Sequence, residues 1–276
     1  MKPPWFDRLT PAPVQAPIRL EHLAWPEVEA TLDDVLLLPV GATEQHGPHL
    51  PLNTDTVIAE ATCAFASALT RAPVLPALRY TVSLGHTEKW PGTFAVFHET
   101  LMQAVRSIAQ WAMATGWKRM LLVNSHFGND AALRCAVDRI RFEFPGRFLL
   151  AARNTWQLSA EISQAFTHDA ADWHANEAET SLLQFIAPED VHFDRLPSAD
   201  DPDRTGECVF PHLVAHTSSN GVTGTPSLAT PERGAALLTR MGHAMAALVE
   251  RARTDEPPLP WLRTSNAFAA CLSPSA

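Results

Sequence analysis

The sequence has no basic run, and its formal net charge is −9, with 21 Lys and Arg against 30 Asp and Glu. Bulk charge of that sign does not draw nucleic acid or an anionic membrane, so neither partner is expected. Long hydrophobic runs are also missing. No uncharged apolar stretch approaches the ~18 residues of a membrane span. The first residues, MKPPWFDRLT, lack the apolar segment of a secretory signal. Cysteine is sparse: Cys63, Cys135, Cys208 and Cys271 stand far apart, which excludes a CxxC metal signature. They read as reduced thiols, and the expected location is the cytoplasm. Internal repeats and low-complexity segments are absent as well. What remains is a 276-residue chain with 46% hydrophobic residues, ample for a sizeable core.

Along the chain, short apolar runs alternate with helical patterns. Val35–Val40 (VLLLPV), 73–78, Met120–Asn124 and Arg147–Ala152 read as strands. Thr56–Leu69, Glu99–Thr115, Asp130–Phe144, Glu177–Phe185 and Glu232–Arg251 read as helices. Gly116 is placed to end the second of these and Asn129 to cap the third. Strand–helix alternation implies a layered α/β/α fold around a mostly parallel sheet. A proline-rich extended arm is expected over residues 1–20, the main domain over 21–252 and a tail over 253–276. The stretch 197–206 (PSADDPDRTG) reads as a polar, acidic loop.

Three segments carry groups suited to chemistry. The first, Gly41–Asp55 (GATEQHGPHLPLNTD), lies between a strand and a helix. In open α/β sheets that edge is where ligands bind. It offers Glu44, His46, His49 and Asp55, residue types that ligate catalytic zinc or manganese. A structural account exists too, in which Thr54 or Asp55 caps the helix and the histidines are solvated. The second segment, Asn124–Asp130 (NSHFGND), puts His126 at an equivalent strand end. The third, Asp172–Ser181 (DWHANEAETS), contributes His174, Glu177 and Glu179. There Asn176 can cap a helix with Glu179 at the third position, and Glu177 can be a solvated charge favouring the dipole. The loops LGHTEKWPGT (84–93, with His86) and NGVTGTPSLATPERG (220–234) are weaker signals.

Together EQHGPHLPLNTD at 44–55, PGT at 91–93, the NxHxGN frame at 124–129, HANEAETS at 174–181 and GVTGTPSLATPERG resemble the creatininase (creatinine amidohydrolase) family. The resemblance spans roughly residues 20–250 with the motif order preserved. It implies a metal-dependent hydrolase of non-peptide C–N bonds, in which two divalent ions activate a water against a small cyclic or linear amide. The ions would be zinc or manganese, with iron a further candidate. Glu44, Asp55 and His126 would hold one ion. His46, Asp55 and Glu179 would hold the other, with Asp55 shared. His174 matches the family's proton donor to the leaving group. Trp156 matches an aromatic residue of the pocket, with Phe127, Trp173 and His86 as further substrate contacts. A homo-oligomer, a hexamer in this family, is implied. Where creatininase has a glutamate two residues after the metal histidine and a tyrosine just after it, this chain has Gly128 and Phe127. A tryptophan four residues before the donor histidine is here Ala170. Other branches include a deformylase and a peptidase. A catalytically silent member that binds metal only for structure is the reading of another class.

Overall fold

The structure, a computed structural model, describes residues 2–13 and 15–259. Five parallel strands form one sheet in the order β1-β3-β2-β4-β5: β1 Ile18–Arg19, β2 Val35–Val40, β3 Pro73–Val74, β4 Arg119–Asn124 and β5 Leu149–Asn154. Side chains alternate across a strand, so an unbroken apolar run needs cover on both faces. Leu36, Leu38, Val40, Met120 and Leu122 pack on one face with Leu101 and Val105 of α3 (His98–Thr115) and Leu133 of α4 (Asp130–Glu143). Val35, Leu37, Leu121 and Val123 pack on the other face with Cys63 and Ala66 of α2 (Thr54–Thr70) and Met245 and Val249 of α8 (Pro231–Thr254). The layered α/β/α expectation is therefore met.

A third apolar cluster joins α2 and α8 to α6 (Glu177–Ile186) and α5 (Ala160–Thr167). Gly234 permits the close approach of α8 to α6, because a Cβ there would overlap the Ser181 carbonyl. The short helices α1 (Trp25–Glu29) and α7 (Val214–Thr217) complete the α-helices among the described residues. No helix among the described residues is long and apolar enough to cross a membrane.

Several local expectations change. The first residues are not a loose extension: Pro4–Arg8 forms a 3₁₀ turn, and Trp5, Phe6 and Leu9 are buried in the α2–α6 cluster. Their apolar area outweighs the extended bias of the prolines. The strand expected over 73–78 is only two residues long, with Leu78 bridging back to Val40. Asn129 holds the expected N-cap position of α4, but its side chain makes no capping bond. Its amide instead donates to the Gly41 carbonyl (3.0 Å) and accepts from Val82 N–H (3.0 Å), tying loops together. The tail expected after 252 begins later, since α8 runs to Thr254; from residue 260 it lies outside the described residues.

The acidic stretch 197–206 is also more structured than its composition suggests. Asp201 is buried and accepts from Arg204 Nη2 (2.6 Å), Ser218 Oγ (2.9 Å) and Ser219 N–H (2.7 Å). Burial raises its pKa, but the Arg204 and Ser219 bonds outweigh burial and hold it below the usual carboxylate range. A folded-state value below the unfolded value of about 3.9 makes this contribution complete above that pH, and it is lost on further acidification. Lowering the pH from about 5 to about 3 should therefore reduce the melting temperature of the wild type more than that of Asp201→Asn. Parallel melting curves for the two proteins across that range would contradict this role.

Candidate metal centre

The carboxyl ends of β2, β4 and β5 open on one edge of the sheet. Glu44 and His46 follow β2, His126 follows β4, and Trp156 follows β5. Asp55 is inside the first turn of α2, whose N-cap is Asn53. Its carboxylate points at two histidines: Oδ1 is 3.3 Å from His46 Nε2, and Oδ2 is 3.2 Å from His126 Nδ1. Glu179 arrives on α6, with Asn176 as the N-cap accepting from Glu179 N–H. One Glu179 oxygen accepts from Ala175 N–H (2.7 Å) and the other lies 3.9 Å from His46 Nε2. Glu44 Oε2 accepts from the Ser83 hydroxyl and is 3.2 Å from His126 Nε2. All five candidate ligands are buried.

The histidine hydrogens follow from their backbone partners. A carbonyl only accepts, so a ring nitrogen beside one carries the hydrogen. His46 Nδ1 donates to the Glu44 carbonyl (3.1 Å), His126 Nε2 to the Val82 carbonyl (2.7 Å) and His174 Nε2 to the Gln45 carbonyl (2.9 Å). In each neutral ring the other nitrogen is bare, and it faces carboxylate oxygens: His46 Nε2 and His126 Nδ1 face Asp55, and His174 Nδ1 is 3.4 Å from Glu44 Oε1. Glu44 Oε1, Asp55 Oδ2 and His46 Nε2 are buried with no hydrogen-bond partner. Lone pairs facing lone pairs in a buried site require positive charge between them.

Without metal, protons supply it. Burial lowers the His46 and His126 pKa values, yet the surrounding carboxylates win and raise them to about 10 and about 9. Burial raises Asp55, but His46 and His126 hold it below the usual range. Burial, with Asp55 and Glu44 nearby, pushes Glu179 up to about 7 against the opposing pull of His46. His86 and His174 are lowered, chiefly by burial, and so remain neutral. The donor atoms of Glu44, Asp55 and His126 lie within 4.8 Å of one another. The same holds for His46, His174 and Glu179, and for Glu44, His86 and His174. Buried carboxylates and bare imidazole nitrogens at these separations suit divalent cations of the zinc and manganese kind.

The groups open on a cavity of about 660 Å³ lined by His86, His126, Phe127, Trp156, Trp173 and His174, among others. Its aromatic wall is continuous, with ring centroids 6.1 Å apart for Phe127–Trp156 and 5.8 Å for Trp156–Trp173. Phe127 is exposed, and a Cβ at Gly128 would come within 2.6 Å of both His126 Nε2 and the Val82 carbonyl. A glutamate at 128 would thus collide with the bond that orients His126.

Two sequence readings change. His49 does not join the cluster: its Nε2 meets Thr180 Oγ (2.8 Å). Glu177 is not a solvated charge; it is buried and accepts from Ser181 Oγ (2.7 Å). Sequence reasoning passed over Gln45, Ser83 and the Val82 carbonyl. Gln45 lay in plain view between two candidate ligands, whereas nothing in the chain marked the other two.

The creatininase family, described as creatinine amidohydrolase, matches residues 21–249. A mycofactocin precursor peptide peptidase from Mycolicibacterium smegmatis is 32% identical over 80% of this chain and 86% of its own length. A creatinine amidohydrolase from Pseudomonas putida is 30% identical over 79% of this chain and 90% of its own. Among solved structures, a creatininase mutant complexed with creatine has a TM-score of 0.77 at 27% identity, covering 87% of this chain and 100% of that one. These relatives are hydrolases, and fold and donor set place this chain among enzymes of that class. It belongs to the creatininase family.

Proposed function

We propose that this chain is a metal-dependent amidohydrolase that cleaves a C–N amide bond with water activated by two divalent ions. The observation carrying this is the set of bare imidazole nitrogens turned on partnerless buried carboxylate oxygens. Glu44, Asp55 and His126 would hold one ion; His46, Asp55 and Glu179 would hold the second. When bound, such ions supply a water acidic enough to ionise near neutrality and a Lewis acid for the amide carbonyl. The buried carbonyls of Glu44 and Val82 keep the His46 and His126 rings turned for that task. His174 carries its hydrogen at Nε2 and has a free Nδ1 on the site side, so it can take up a proton there and deliver it to the leaving nitrogen. Trp156, Trp173, Phe127 and His86 line the space for substrate.

Two substrate classes compete. A small cyclic or linear amide fits the family's description and the cofactor chemistry. A peptide bond is favoured by one observation: the cavity, lined also by Val209, Phe210 and Pro211, is about 660 Å³, more room than one small ring fills. The similarity to a peptide peptidase supports the same reading. Assembly as a homo-oligomer is carried over from the family and is supported by the exposed aromatics Phe94, Phe97 and Trp111. The test is turnover by protein loaded with zinc or with manganese, assayed against creatinine, hydantoins, formamides and short peptides. Chelator-sensitive hydrolysis of one class is expected. Full turnover by a metal-free chain would refute the metal reading, and metal-replete protein inert on all four would mark a silent family member.

A further inference from the structure

Gln45 stands between the candidate ligands Glu44 and His46, is buried, and is not itself a metal-binding type. Its side-chain orientation is fixed by two groups that cannot reverse their roles. Oε1 accepts from the Gly47 N–H (2.9 Å), and Nε2 lies 3.2 Å from the Gly221 carbonyl. The fit is close. Gly221 has φ +87°, and a Cβ there would overlap Gln45 Oε1, so no other residue leaves room for this amide.

Nε2 carries two hydrogens but has three neighbours: the Gly221 carbonyl, His86 Nδ1 at 2.9 Å and His174 Nε2 at 3.2 Å. His174 Nε2 is also 2.9 Å from the Gln45 main-chain carbonyl, so it holds a hydrogen and cannot accept another. The two amide hydrogens therefore go to Gly221 and to His86 Nδ1. A neutral imidazole that accepts at Nδ1 carries its hydrogen at Nε2. His86 Nε2 lies 3.4 Å from Glu44 Oε1, and His86 lines the cavity. His174 Nδ1 lies at the same distance from the same oxygen and is bare.

We infer that Gln45 is a positioning residue that gives two adjacent histidines opposite roles: its side-chain amide makes His86 an N–H donor at Nε2, and its main-chain carbonyl leaves His174 with a bare Nδ1. The grouping Glu44–His86–His174 is then not a third metal seat, because the His86 nitrogen facing it is occupied by hydrogen. His86 instead offers that hydrogen to an oxygen of a bound substrate, the use made of fixed donors where negative charge develops. This last step rests on the amidohydrolase reading; the tautomers rest on the hydrogen-bond geometry alone.

Solid-state ¹⁵N NMR of the zinc-loaded full chain, labelled at histidine, tests it. The His86 signals are identified by their loss in His86→Asn. His86 is expected to show hydrogen at Nε2 and none at Nδ1. In Gln45→Glu, whose carboxylate can only accept, the hydrogen should move to Nδ1. Hydrogen at Nδ1 in the wild type, a zinc-bound Nε2, or His86 signals unchanged in a folded Gln45→Glu would overturn the assignment. Should Gln45→Glu not fold, the wild-type spectrum still decides, because the assignment needs only His86→Asn. Zinc content of the same samples reports separately on the metal reading: a chain that binds no zinc refutes that reading while the tautomers remain measurable.

Discussion

Asp55→Ala is expected to strip the protein of both divalent ions, while Glu179→Ala releases one. Asp55 is the carboxylate that reaches both halves of the site, 3.3 Å from His46 and 3.2 Å from His126, whereas Glu179 approaches only His46. Loss of an outer partner of a ligand typically costs about 10–100-fold in affinity. Removing a shared ligand should exceed that, and turnover should vanish with the metal. The competing account makes Asp55 a helix-start residue, with a cost of about 0.5–2 kcal/mol in stability and metal retained. The geometry favours the first account: the N-cap position belongs to Asn53, and the Asp55 carboxylate faces the two histidines. Elemental analysis and melting temperature on the same preparation separate the two, and full metal content in Asp55→Ala would rule out a shared ligand.

The second large effect is expected at His174. In the proposed hydrolysis an amide nitrogen leaves poorly as an anion, so a proton is needed at that atom. His174 is buried beside the site with its Nδ1 free, and its ring stands 4.5 Å from that of His46 and 4.3 Å from that of His86. His174→Ala should keep both ions and the fold and lower kcat by roughly 10²–10⁴. His174 is also within reach of a ligand role, since His46, His174 and Glu179 form one of the close donor groups. Metal analysis on His174→Ala therefore carries the decision. Loss of an ion along with activity would make His174 a ligand, and unchanged turnover would make it a packing residue.

Much of this was legible along the chain. The runs VLLLPV and MLLV are apolar on both faces, which a sheet covered on both sides satisfies. Two polar clusters at the ends of such strands share an edge by topology, so Glu44, His46, Asp55 and His126 could be grouped before any coordinates. The N-cap at Asn176 could be read as well, because capping is local. Glu177 reads as solvated along the chain because its burial depends on how α6 packs; Asn129 holds the N-cap position as expected, but its side-chain partners, Gly41 and Val82, depend on how the loops come together. The first residues were misjudged for a related reason: proline content reports backbone bias, while burial of Trp5 and Phe6 depends on the presence of Phe65 and Phe185 beside them.

The sequence by itself determined the fold class, the family and the ligand types, because periodicity and motif spacing are properties of the chain. Which histidine nitrogen is bare was decided only by tertiary structure. At His126, His174 and His86 that choice is made by the Val82 and Gln45 carbonyls and the Gln45 amide, through hydrogen bonds of 2.7–2.9 Å that exist only once the loops are brought together. The same is true of the charge at the centre. Glu44, Asp55 and Glu179 are ordinary acids in the unfolded chain, and burial beside histidines 3.2–3.9 Å away turns them into a site that demands cations.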